Sequence, residues 1–242
     1  MPPWMSVAAV VSVAVLTVAA YGIVSGTAAG QATWDGCTGK VGDITFRAAD
    51  GTRLAGHRFG EGRTAVVLAH QSDGDLCQWL PYGRRLARLG YLAIAFDFRN
   101  VGDSQERQYP ANNRPGGDVA GAVQEARRRG ARKVFLVGAS LGGSAVLQAA
   151  SNIEPRVAGV VSVSGAADLS HAIESVPRLE VPVLYLAASG DRDFAADAKR
   201  LYAATHVRDR KIVLLDDSRH GTALVGGNAG ARRAIETVLR TH

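Results

Sequence analysis

From Ile44 onward the hydrophobic positions switch repeatedly between the spacing of strands and that of helices. Residues 44–47 and 54–59 flank Asp50-Gly51-Thr52, a turn signal that predicts an antiparallel hairpin. Residues 65–69, Ala-Val-Val-Leu-Ala, form an unbroken apolar run, as a strand covered on both faces requires. A helix is predicted over 78–89, stopped by Gly90, and a strand over 92–98. A second helix over 119–129 ends at Gly130, and a strand at 134–137 leads into a helix over 141–150. Strands at 157–163, 183–187 and 212–215 follow, with helices near 195–204 and 230–240. Strands alternating with helices of this length predict an α/β domain, a mostly parallel sheet with helices on both faces and an N-terminal antiparallel hairpin.

The start of the chain reads differently. No charged side chain precedes Asp35, and residues 7–24 are almost all apolar, enough to cross a bilayer at about 1.5 Å per residue. Gly30-Gln31-Ala32 offers small residues for a signal peptidase, whereas Met1 to Met5 lack the usual basic residues. Residues 1–32 are therefore expected to be a signal peptide or a membrane anchor, with membrane contact through residues 4–24, and 33–242 the folded domain. A buried N-terminal helix is the alternative. The expected location is secreted or membrane-anchored, outside the cytoplasm. Cys37 and Cys77 are either a disulfide closing a loop of about 40 residues or two buried thiols.

Composition narrows the classes. The chain has 242 residues, 47% hydrophobic and 21% charged, ordinary for one packed domain. Two cysteines exclude a disulfide-dense scaffold and a thiolate-rich metal site, and no metal-ligand or nucleotide-binding motif occurs. The formal charge of +6 is spread along the chain rather than gathered. Its one tight run, Arg127-Arg128-Arg129, falls where a helix ends and suits the helix dipole, so no nucleic-acid partner is expected.

Candidate chemistry concentrates at strand ends. Gly138-Ala139-Ser140-Leu141-Gly142 has the G-x-S-x-G form and lies between a predicted strand and a predicted helix. A turn that tight needs small neighbours around the serine. With the loop His70-Gln71-Ser72-Asp73-Gly74 and the stretch Asp97-Phe98-Arg99-Asn100-Val101-Gly102-Asp103-Ser104, the chain from about Ile44 resembles the α/β-hydrolase family, of the small capless type with a serine nucleophile. Gln71 and Asn100 stand where the family usually has glycine.

The resemblance implies a catalytic set. Ser140 would be the nucleophile and His220, in His220-Gly221 after the last strand, the base. Asp193, three residues after Gly190, is the expected acid and Asp191 the alternative; Asp216 and Asp217 are read as solvated loop residues. The oxyanion hole would use the backbone N–H of Leu141 with that of Ser72 or Gln71, and Asp73 should point away from it. Asp97 and Arg99 are expected to orient loops. Only about 20 residues separate the strands at 157–163 and 183–187, too few for a helical cap. Residues 167–173 are expected to form at most a short helix over one edge. The resulting expectation is a serine hydrolase, without cofactor or metal, cleaving an acyl ester of a small-molecule or lipid-like substrate. Thioester, peptide or acyl-transfer chemistry would use the same residues. The readings from other classes are a non-catalytic surface ligand-binding member of the fold and an envelope-adhesion protein.

Overall fold

The computed structural model describes residues 43–110 and 115–242. Residues 1–32, with the expected signal or anchor, and Cys37 lie outside the described residues. Among the described residues no helix is long and apolar enough to cross a membrane.

Strands β1 (Ile44–Arg47) and β2 (Arg53–Phe59) form the expected hairpin. Its turn is set by Asp50, whose carboxylate accepts from the Thr52 N–H at 3.1 Å, and by Gly51 at a φ of 83°. Strands β3 (Thr64–Ala69), β4 (Leu92–Phe96), β5 (Lys133–Ala139), β6 (Gly159–Val163), β7 (Val183–Ala188) and β8 (Arg210–Leu215) are mutually parallel and complete one eight-stranded sheet. The order is β1-β2-β4-β3-β5-β6-β7-β8, with β2 antiparallel to β4. The long apolar runs are the central strands: every residue of β4 is buried, as is Ala65–Ala69 in β3. Such strands are covered on both faces, which is why they lack alternation.

Helices α1 (Leu80–Arg88), α2 (Gly116–Arg128), α3 (Leu141–Ala150), α4 (Ala172–Ser175), α5 (Arg192–Ala204), α6 (Gly221–Gly227) and α7 (Ala229–Thr241) supply the covers. One core joins Ile44, Val67, Ile94 and Leu136 to Val119 and Val123 of α2, Val146 of α3 and Leu201 of α5. The other joins Val66, Leu68, Phe135 and Leu184 to Leu86 of α1, Leu224 of α6 and Ile235 of α7. A single turn of helix at Leu76–Trp79 precedes α1 and is capped by the Asp75 carboxylate.

Several boundaries differ from the pattern. The strand expected at 157–163 begins at Gly159, after Glu154-Pro155, and the one at 92–98 ends at Phe96. The helix expected near 195 starts at Arg192. Helix α6 has no counterpart in the pattern, because Gly221, Gly226 and Gly227 hide its period. Between β6 and β7 lie only α4 and one turn at Val176–Arg178, so no cap domain is present there.

Candidate active site

The carboxyl ends of β3, β5, β7 and β8 bring four loops together. Ser140 is the single residue between β5 and α3, with φ near 50° and ψ near −116°. A side chain beyond glycine is strained there, and the turn closes only because Gly138 and Gly142 on either side lack side chains. A Cβ on Gly138 would stand 2.1 Å from the Gly142 carbonyl oxygen, and one on Gly142 would stand 2.3 Å from that of Ala69. The Ser140 N–H donates to Val163 O of β6 at 2.9 Å, pinning the turn across the sheet. The residue is 8% exposed, and its hydroxyl makes no hydrogen bond among the described residues.

His220 ends the β8 loop just before α6. Its Nδ1 meets Asp191 Oδ2 at 2.8 Å, and its ring lies 4.2 Å from that of Phe194. The carboxylate brought to the histidine is therefore Asp191, whereas the sequence favoured Asp193. Asp191 is the residue before α5, immediately beyond the β7 turn, while Asp193 sits exposed in the first turn of α5. Two bonds stitch the β7 and β8 loops together: Ser189 N–H donates to Leu215 O at 2.8 Å and Gly190 N–H to Asp217 O at 2.9 Å. A Cβ on Gly190 would come 2.9 Å from that same Asp217 oxygen, so the close approach belongs to glycine.

Asp217 is not the solvated loop residue expected. Its carboxylate accepts from the Ser218 and Arg219 N–H groups, the Arg219 guanidinium and the Asn228 amide, and thus shapes the loop carrying His220. The Arg219 guanidinium first, and then Asn228, hold its pKa well below the ordinary carboxylate range.

The β3 loop is held from several sides. His70 is buried, and its Nδ1 lies 2.7 Å from Gln71 O while its Nε2 accepts the Phe98 N–H at 3.2 Å. That pairing fits a neutral ring with the proton on Nδ1, and burial lowers its pKa from the usual value. Gln71, the departure from the family pattern, bridges two loops with its side chain. Its Oε1 accepts from Thr222 N at 3.0 Å and Thr222 Oγ1 at 3.2 Å, and its Nε2 donates to Asp73 at 2.7 Å. Gly221 makes room for this bridge: a Cβ there would stand 2.2 Å from Gln71 Oε1 and 3.5 Å from the Ala139 Cβ. So the residue after His220 lies against the residue before Ser140. Gly221 N–H in turn donates to Ser164 Oγ at 3.2 Å. The Gln71 N–H is taken by Gln78 Oε1 at 3.3 Å, while those of Ser72 and Leu141 have no acceptor among the described residues. The Gln71 bridge was not visible in sequence, since it joins loops 151 residues apart, and the local Asp217 cluster carries no sequence pattern of its own.

Asp97 and Arg99 do orient loops. The Asp97 carboxylate accepts from Leu76 N at 2.8 Å and from Asp103 N at 3.3 Å, and burial, opposed by these two bonds, pushes its pKa up to about 6. Arg99 and Asp118 are both fully buried and joined at 2.6 Å; Asp50 and the ring of Tyr109 complete the cluster. Burial works against the Arg99 charge, but the bonds to Asp118 and Asp50 outweigh it and raise its pKa. Cys77 is disulfide-bonded.

Residues 64–197, more than half of the chain, match the family model described as alpha/beta hydrolase fold. No curated protein matches the sequence. Among solved structures, the chain is similar to an esterase from Pyrococcus furiosus, with a TM-score of 0.69, 14% identity, and 82% of this chain and 90% of that one covered. It is also similar to an esterase from Exiguobacterium antarcticum, at TM-score 0.68 and 17% identity over 81% and 98%. A monoacylglycerol lipase from Paleococcus ferrophilus superposes at TM-score 0.64 and 18% identity over 77% and 98%. At these identities the likeness is one of fold.

Proposed function

Because the chain belongs to the α/β-hydrolase fold family, we propose that it is a serine hydrolase that cleaves an acyl ester through an acyl-enzyme on Ser140. The observation that carries this reading is the conjunction of Ser140 at its strained turn with the His220–Asp191 pair at 2.8 Å on the neighbouring loops. His220 Nε2 takes the Ser140 proton as Oγ attacks the carbonyl carbon. Asp191 accepts the Nδ1 proton, fixing the tautomer and stabilising the imidazolium that forms. The Leu141 N–H, at the first residue of α3, and the Ser72 N–H receive the oxyanion. Protonated His220 then gives its proton to the leaving alcohol, and a water activated by His220 releases the acid. Esterase and lipase structures of the same fold support an ester as substrate. The uncharged apolar run before Asp35, with the disulfide at Cys77, supports a place outside the cytoplasm.

The test is a fluorophosphonate with intact-mass readout, followed by an ester panel. Stoichiometric labelling is expected, absent in Ser140→Ala and strongly slowed in His220→Ala. A folded parent that takes up no label would overturn the hydrolase reading in favour of a ligand-binding member of the fold.

A further inference from the structure

The formal charge of +6 is scattered along the sequence, but the fold gathers cations at the amino ends of the parallel strands. There a broad basin of about 730 Å³ is lined by Arg58, Arg63, Arg129 and Arg132, with Glu61 as its one acidic side chain. Arg63 immediately precedes β3 and Arg132 immediately precedes β5. The Arg132 N–H donates to Arg63 O at 2.8 Å, extending the Thr64–Lys133 register by one residue. The two arginines are therefore direct neighbours across adjacent strands, a like-charge placement that costs stability. Both are exposed, and neither side chain has a hydrogen bond or ion pair among the described residues.

The surrounding charges do not cancel this pair. Arg58 is held by Glu61 at 3.0 Å, and the one carboxylate of Glu125 is shared by Arg128 and Arg129, at 2.6 Å each. Arg128 and Arg129 stand at the end of α2, where the helix dipole accounts for a cation; Arg63 and Arg132 belong to no helix. At the same end α1 finishes in Arg88, which has no partner among the described residues. Leu89 follows it, an apolar side chain 49% exposed. Cations spread around a broad basin, with an apolar side chain nearby, suit an extended anionic surface rather than one small anion. No aromatic ring lines the basin to stack a nucleobase. The sequence adds a lipid surface within reach: residues 7–24 are the expected membrane contact, and residues 25–36 could span up to about 40 Å. A tether of that length leaves the choice of face to charge.

We propose that this end of the sheet docks on an anionic lipid bilayer, with Arg63 and Arg132 as its central cations and Leu89 entering the headgroup layer. Strand β5 is seven residues long, so Ser140 stands about 20 Å away, at the opposite end of the sheet. The docked domain turns its candidate catalytic end to water. The inference does not depend on the hydrolase reading, since neither Ser140 nor His220 belongs to this face.

The test is local, so that any hold of the apolar run on a membrane does not obscure it. The full chain is mixed with vesicles of phosphatidylcholine alone, or with about one-third phosphatidylglycerol, and backbone hydrogen exchange is read by mass spectrometry. Exchange at 88–92 and 129–133 should slow about tenfold on the anionic vesicles at low salt and stay unchanged on phosphatidylcholine. Raising the salt to about 0.5 M should remove the protection. Each cation near such a surface is worth about fivefold in binding. The double variant Arg63→Gln with Arg132→Gln, two exposed changes that spare the fold, should therefore return exchange to its free rate. Ser140→Ala should keep the protection, which separates this proposal from the fate of the catalytic one. No protection on anionic vesicles, or equal protection on phosphatidylcholine, would overturn it. So would protection that appears instead at 71–74 and 218–222, that survives in the double variant, or that a DNA duplex reproduces.

Discussion

Asp191 and Asp193 are two residues apart and chemically identical, yet only one reaches the imidazole. The β7 turn delivers Asp191 to His220, while α5 carries Asp193 out to solvent. Asp191→Asn is expected to lower kcat for an activated ester by about 10⁴, since the amide stabilises the wrong tautomer. Asp193→Asn should leave it within about twofold; the reverse ranking would restore the sequence expectation. Sequence narrowed the acid to this pair on the resemblance, but a two-residue step across the start of α5 decides which carboxylate points inward. Gln71 makes the same point more strongly. It stands where the family usually has glycine, and its amide ties the Ser72 loop to Thr222, two residues beyond His220. On the proposed mechanism, Gln71→Ala should cut kcat by about tenfold with little change in KM, because it would loosen the proposed oxyanion donor rather than remove a binding contact. Gln71→Glu, which keeps the acceptor but repels Asp73, should recover only part of that loss.

At the scale of elements, the strand-to-helix turn at Ser140 was legible because its demand for small residues is written locally. Gly142→Ala should abolish labelling and destabilise the protein, as its Cβ would strike backbone oxygens of Ala69 and His70 at 2.3 and 2.6 Å. Helix α6 was illegible for the converse reason: Gly221, Gly226 and Gly227 erase the apolar period over its seven residues. The β3 and β4 loops also carry a linked pH response. His70 has a folded pKa below its usual 6.5, so the unfolded chain binds the extra proton, and stability from this group is complete above pH 6.5 and declines as pH falls below it. Asp97, raised from 3.8 to about 6, works the other way: the folded chain holds the extra proton between those values, and stability rises as pH falls through them. Asp97→Asn removes that compensation. Its urea midpoint should therefore drop more between pH 7 and pH 5 than the parent's does; an equal drop would mean that Asp97 titrates normally.

For the whole molecule, the alternation of strand and helix was enough to predict a parallel sheet covered on both faces, because buried central strands must be apolar throughout. What alternation could not convey is strand order, which depends on crossovers that leave no local trace. The Arg99–Asp118 ion pair shows the same limit, joining the end of β4 to α2 at full burial. Removing one partner strands the other charge, so Asp118→Ala should lower stability by about 3–5 kcal/mol in chemical denaturation. His220 hangs from β8, an outermost strand with β7 as its one neighbour and no fully buried residue. Ser140 hangs from β5, flanked on both sides deep in the sheet. The proposed nucleophile and base are thus mounted on parts of unequal local stability. On warming, amide exchange should open 210–215 before the amides of β5, and fluorophosphonate reactivity should fade while circular dichroism still reports a folded sheet. On the proposed mechanism the protein would then lose its proton acceptor reversibly, ahead of its fold, a thermal cutoff located at the rim of the sheet.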